Sequence, residues 1–89
     1  MPSVQFTSHL RHVVPTVPMT VQGITLRGVL DEIFTAHPKA RSYVLDDQDR
    51  LRKHVVIFVD GDRVQPGDDL RQNLRSDSKV FVLQALSGG

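Results

Sequence analysis

The sequence predicts an α+β domain: a mixed sheet of four to five strands, covered on one face by one main helix. Three observations carry this. Two stretches near the start, SVQFTSHL and VPMTV, alternate apolar and polar residues with the period of two that marks a half-buried strand. TLRGVLDEIF then switches to apolar residues at helical spacing. The second half holds two apolar, β-branched runs, HVVIFV and VFVLQAL, and no second long helical stripe.

Each element follows from its residues. In strand 3 to 10, Val4, Phe6, Ser8 and Leu10 share one face and Gln5, Thr7 and His9 the other. Pro15 and Pro18 bracket a turn, Val17, Met19 and Val21 continue the alternation as an antiparallel partner, and Gln22-Gly23 ends it. Leu26, Val29, Leu30, Ile33 and Phe34 form one helical stripe, with Thr25 as N-cap and Pro38 as the stop. Gly28 costs this helix about 0.5–1 kcal/mol, acceptable if it lets the helix approach the sheet closely. Residues 39 to 53 read as a long polar connection with a short helical turn near Ala40 to Leu45. Lys39, Arg41, Arg50, Arg52 and Lys53 are interleaved there with Asp46, Asp47 and Asp49, as in a solvated loop. Asp60-Gly61 is a hairpin turn after the strand of 54 to 59, leading to a short return through Val64. Leu70 and Leu74 suggest one helical turn, with Asp68-Asp69 capping it, before the closing strand of Val80 to Leu86.

Composition narrows the function classes. With 89 residues the chain supports one modest core, which leaves little stability for a deep substrate cavity and tilts the reading away from a stand-alone enzyme. There is no cysteine, so disulfides, thiolate metal sites and cysteine nucleophiles are excluded. A net charge of +1 gives no electrostatic case for nucleic acid or a membrane as partner. No stretch reaches the roughly 20 apolar residues of a membrane span, and MPSVQFTSHL lacks a signal peptide's charged-then-apolar order, so a cytoplasmic protein is expected. Strand geometry points His9 and His12 to opposite faces, which disfavours a metal site. His37 is placed to complement a helix end, and His54 to begin a strand. The Asp46–Asp49 cluster lacks the glycine and distal glutamate of a calcium loop. No metal ligand is assigned.

The chain stops on QALSGG, and two glycines after a closing strand add nothing to a core. The strand-strand-helix-strand-strand-strand order, TLRGVLDEI, IFVDG, the segment leading to Asp77-Ser78-Lys79-Val80 and the terminal Gly88-Gly89 together resemble the MoaD/ThiS-like small sulfur carriers. These are the small subunit of molybdopterin synthase and the thiamine sulfur carrier, with the β-grasp, or ubiquitin-like, fold. The family's usual Asp-Gly-Asp-Glu-Val before the last strand stands here as Asp77-Ser78-Lys79-Val80.

This resemblance implies a β-grasp domain over residues 1–86 and a flexible C-terminal tail over 87–89, Ser87, Gly88 and Gly89. It implies no side-chain catalyst: the sulfur-carrying group is the Gly89 carboxylate, adenylated by a separate ATP-dependent enzyme of the ubiquitin-activating type and converted to a thiocarboxylate. Glycines suit such a tail because a chain without Cβ atoms can thread into another protein's nucleotide site. ATP and Mg belong to the activating partner, and no cofactor is held permanently. A sulfur donor such as a cysteine desulfurase or rhodanese and a sulfur-accepting synthase complete the implied partners.

The two-sided apolar strands fit this scheme. If Val55, Ile57, Val59, Val80 and Val82 face the helix, then Val56, Phe58, Phe81, Leu83 and Ala85 face away and form a docking surface beside the tail, as in the family. Coverage of that face by the loop of 39 to 53, or by a second copy, stands as the alternative. Two other functions share the same ending: a ubiquitin-like modifier joined through Gly89 to a lysine amine, and a plain β-grasp interaction module. Nothing in the strands or loops selects a pathway.

Overall fold

The computed structural model describes residues 1–7, 10–65 and 67–84. Five strands form one sheet in the order β2-β1-β5-β3-β4, with β1 (Ser3–Phe6), β2 (Met19–Thr20), β3 (Val55–Val59), β4 (Asp62–Arg63) and β5 (Lys79–Gln84). β5 runs parallel to β1 and antiparallel to β3, which makes the sheet mixed. Across one face lie α1 (Leu26–Ala36) and α2 (Pro38–Val44).

The alternation in β1, β3 and β5 sorts their residues as expected. Val4, Phe6, Val55, Ile57, Val59, Val80 and Val82 are buried in one core with Leu26, Val29, Leu30, Ile33 and Phe34 of α1. Burying an aliphatic or aromatic side chain stabilises by roughly 1.5–3 kcal/mol, so this layer holds helix to sheet. β1 is shorter than its pattern. It ends at Phe6, and Leu10 is buried because a turn carries it inward: the Leu10 N–H bonds Thr7 O at 3.0 Å and the Val14 N–H bonds Leu10 O at 3.1 Å. Ser8 and His9 lie outside the described residues. β2 spans two residues where the sequence suggested five; Pro18 has no N–H to give a ladder.

α1 begins as expected, with Thr25 Oγ1 accepting from the Gly28 N–H at 3.0 Å. Gly28, however, faces that cap and Gly23 rather than the sheet: a Cβ built on it would stand 3.1 Å from Thr25 Oγ1. His37 caps both helices. Its N–H bonds Ile33 O at 2.8 Å, and Pro38 follows at the start of α2, where a missing N–H is harmless. The helical turn expected near Ala40 to Leu45 is thus a seven-residue helix, and Ala40, Val44, Leu45 and Leu51 join the main core. Asp46, Asp47 and Asp49 form a polar turn in which Asp46 Oδ1 accepts from the Gln48 and Arg50 N–H groups at 2.9 and 3.0 Å.

The helical turn expected at Leu70 to Leu74 does not form. Leu70 is buried with φ of 64°, and its N–H bonds Asp68 Oδ1 at 2.6 Å, so Asp68 caps a tight turn, not a helix. The reason lies in α1, whose first N–H groups need acceptors. Leu70 O accepts from the Arg27 N–H at 2.7 Å and Gln72 O from the Leu26 N–H at 2.9 Å. The Arg27 guanidinium reaches Asp69 O at 2.7 Å and also Asp49 O, tying both loops to the helix start. A helical segment would have kept those carbonyls for itself.

Candidate functional site

Two features were expected to make the site: an apolar face turned away from the helices, and the end of the chain beside it. β5 contributes Phe81 and Leu83 to the face. It is the central strand, and Val55↔Gln84 is the last pair it makes with β3 among the described residues. Ala85, Ser87, Gly88 and Gly89, expected to complete the docking face and the tail, lie outside the described residues.

On the outer face the register pairs Phe58 with Phe81 and Val56 with Leu83. Phe81 is 43% exposed; Val56, Phe58 and Leu83 are half-buried against one another. Aromatic cross-strand pairs of this kind stabilise a sheet by up to about 1 kcal/mol, and here Phe81 remains open to solvent. The alternative in which residues 39 to 53 cover this face is not what the chain does, because that segment packs its apolar residues into the helical core. Residues flanking the apolar quartet were not singled out from sequence. Gln5 stands beside Phe81 and Arg63 beside Phe58, giving a row Gln5–Phe81–Phe58–Arg63 across four strands, and Lys79 precedes Phe81 on the same face. The alternation could have flagged their side of the sheet, but their neighbours depend on register, which one chain does not reveal.

A side-chain clamp fixes that register. Asp60 and Gly61 both have positive φ, 51° and 89°, as a two-residue hairpin turn requires. Asp60 Oδ1 accepts from the Lys79 N–H at 2.9 Å, and Asp60 Oδ2 accepts from Ser78 Oγ at 2.9 Å. Ser78 is fully buried, and its Oγ also accepts from the Arg75 N–H at 2.8 Å. The Lys79 N–H, then the Ser78 hydroxyl, hold the Asp60 carboxyl below its ordinary value, and Arg75, 3.4 Å away, adds to this. The start of β5 is thereby pinned to the β3–β4 turn, and Phe81 to Phe58.

The remaining candidates have local roles. His12 packs edge-on against Tyr43, with ring centroids 5.0 Å apart. His54 stands in the turn that leads into β3. Among the described residues no group of three histidines or carboxylates is arranged to hold a metal ion, and no helix is long and apolar enough to cross a membrane.

A mixed five-stranded sheet with a helix packed across it and an apolar outer face beside the end of its central strand defines the ubiquitin-like β-grasp class. Solved structures share this fold over nearly their full length. The chain superposes on the small archaeal modifier protein 1 of Methanosarcina acetivorans with a TM-score of 0.82 at 19% identity, covering 99% of this chain and 95% of that one. Against one chain of the structure of the BexX/CysO complex of Amycolatopsis orientalis the TM-score is 0.82 at 18% identity, covering 100% of this chain and 100% of that one. For CysO of Mycobacterium tuberculosis, described as an antigen, it is 0.82 at 19% identity, covering 97% and 100%. No curated protein matches the chain in sequence. The ThiS family model matches residues 4–89, and the chain belongs to the ThiS family, whose members are small carrier proteins rather than enzymes.

Proposed function

We propose that the protein is a sulfur carrier whose Gly89 carboxylate is activated and then loaded with sulfur. The observation that carries this reading is a ThiS-family match that runs through Gly89, on a fold whose central strand β5 carries the exposed Phe81 on its outer face. The carboxylate attacks the α-phosphate of ATP on a ubiquitin-activating-type enzyme, releasing pyrophosphate. The terminal sulfur of a cysteine persulfide on a cysteine desulfurase or rhodanese then displaces AMP to give an acyl disulfide. A thiol attacks the cysteine-side sulfur, forming a disulfide with that cysteine and releasing the thiocarboxylate for an accepting synthase. Proximity supplies most of the rate advantage, since docking turns an encounter of a carboxylate with ATP into a positioned reaction. The carrier's own task is to dock through Phe81, Phe58, Leu83 and Val56 and to present an unhindered chain end. ATP and Mg are the activating enzyme's, and the whole sequence runs in the cytoplasm.

Intact-mass spectrometry tests this. After incubation with the activating enzyme, ATP and a sulfur donor, the chain should gain about 16 Da, oxygen replaced by sulfur, and the variant lacking Gly89 should gain nothing. An unchanged mass under those conditions refutes the reading. Structural likeness to proteins described as archaeal modifiers supports a second use of the same activated terminus, amide formation with a lysine of a target. Heavier conjugates that disappear on removal of Gly89 are its signature.

A further inference from the structure

The sheet has two edges, β2 and β4, and each strand there has a neighbour on one side only. On β2 the open backbone groups can be assigned. The Val21 N–H bonds Pro2 O at 3.0 Å and Val4 pairs with Met19, so in an antiparallel ladder Met19 and Val21 turn their backbone toward β1. Pro18, Thr20 and Gln22 turn theirs outward. Pro18 has no N–H, and the Gln22 N–H is already held by the Glu32 carboxylate of α1, at 3.0 and 3.3 Å. Thr20 is therefore the residue of this edge with an N–H to give, and among the described residues nothing bonds its N–H or its carbonyl.

A donor and an acceptor on one residue are complementary to themselves. A two-fold axis through Thr20, perpendicular to the sheet, lets each copy's Thr20 N–H bond the other's carbonyl and joins the two sheets into one. Pro18 then lies opposite Gln22, and neither brings an N–H that goes unsatisfied. The side chains agree. Thr20 is exposed, and two threonines make a favourable cross-strand pair. Val17, 62% exposed, comes to Gly23 of the other copy beside Ile24, 76% exposed, so two of the most exposed apolar residues cover each other. α1 runs back along β2, with Gly23 close against Val29, Gln22 bonded to Glu32, and Ala36 and His37 lining a groove with Met19. The axis therefore sets Glu32 of one copy against the His37 end of α1 in the other. β4 offers no such match. The Val64 N–H bonds Ile57 O, so Arg63 is its outward residue, and a two-fold there would set like charges opposite each other.

We infer that the protein pairs with a second copy of itself through β2, forming one continuous sheet with Thr20 at its centre. The face bearing Phe81 stays open, because β1 stands between β2 and β5. The shared edge is short, far below the roughly 1,200–2,000 Å² buried in a stable interface, so half-association is expected at roughly 0.1–1 mM. Sedimentation velocity of the full chain, from about 10 μM to about 2 mM, should show monomer giving way to dimer. Thr20→Lys, which sets two cations opposite each other, should stay monomeric throughout. Thr20→Val keeps the backbone and a β-branched side chain and should still dimerise, which separates loss of pairing from loss of fold. The chain has no cysteine, so Thr20→Cys provides a single thiol. Across the axis the two Cα atoms stand about 5.5 Å apart, a span that a disulfide bridges. Mild oxidation should link Thr20→Cys chains at least about tenfold faster than Arg63→Cys chains at the same concentration. A parent chain that remains monomeric at the highest concentration overturns the inference and leaves the edge to a strand from another protein. So does a dimer that Thr20→Lys leaves intact, or equal linkage of the two thiol variants. Sulfur loading at Gly89 is read separately by mass, so neither reading depends on the other.

Discussion

Replacing Gly23 by alanine should destabilise the domain, although it sits outside every strand and helix. A Cβ at this position would lie 2.8 Å from the Val29 nitrogen and 2.9 Å from both the Gly28 carbonyl carbon and Val29 Cγ1, some 0.6 Å inside ordinary contact. Two of those atoms are backbone of α1, held by the Thr25 cap and by Leu70 O and Gln72 O, so the helix start cannot simply yield. Overpacking of this kind costs typically 1–3 kcal/mol, and the stiffer unfolded chain returns about 0.4–1 kcal/mol. The net loss is about 1–2 kcal/mol, or roughly 5–15 °C in Tm for a domain of this size. Thermal and guanidinium unfolding followed by circular dichroism read it directly, with an unchanged m-value expected. Gly28→Ala is the internal comparison. Its Cβ meets the Thr25 hydroxyl at 3.1 Å and Gly23 Cα at an ordinary 3.9 Å, so the helix-propensity gain of about 1 kcal/mol offsets a weakened cap of similar size and stability should barely change. A Gly23→Ala protein as stable as the parent would refute the idea that helix and preceding chain are in direct backbone contact.

Three further outcomes follow from the same geometry. Thr25→Ala should cost about 1 kcal/mol by chemical denaturation, because the Gly28 N–H loses its acceptor. Asp60 contributes stability that is present above the ordinary carboxylate range and lost as pH falls through its depressed value, so the stability of Asp60→Asn should decline less steeply below about pH 4 than that of the parent; parallel curves would show the clamp to be energetically idle. Phe81→Asp should weaken binding to the activating enzyme at least about tenfold while the domain stays folded, whereas Ile57→Asp, fully buried one position away from Phe58, should unfold it. Reversal of that contrast would mean that the roles of the two sheet faces are exchanged.

How much could be read in advance depended on whether a residue's environment is set locally. The stripe Leu26 to Phe34 and the run Val55 to Val59 announced themselves because period alone decides which side of a helix or strand is buried, and the outward side of Val56, Phe58, Phe81 and Leu83 came out of the same alternation. Leu10, Val14 and Leu70 were misplaced for one shared reason. Each reaches the core from a turn, and a buried leucine in a turn looks in sequence like one in a strand or helix. Residues 67 to 74 could not be read at all without α1, since their carbonyls are shaped by what the helix N-terminus lacks. Arg63 and Lys79 carry no local signal of partnership. Their shared face follows from the β3–β4 and β3–β5 registers, the second of which the Asp60–Ser78 clamp holds.

The parallel pairing of β1 with β5 has a mechanical consequence. Both strands start at the same end of the sheet, so a pull applied to the two ends of the chain drags Ser3–Phe6 and Lys79–Gln84 past each other lengthwise. The bonds between them then share the load as a row in shear, rather than opening one at a time like a zip.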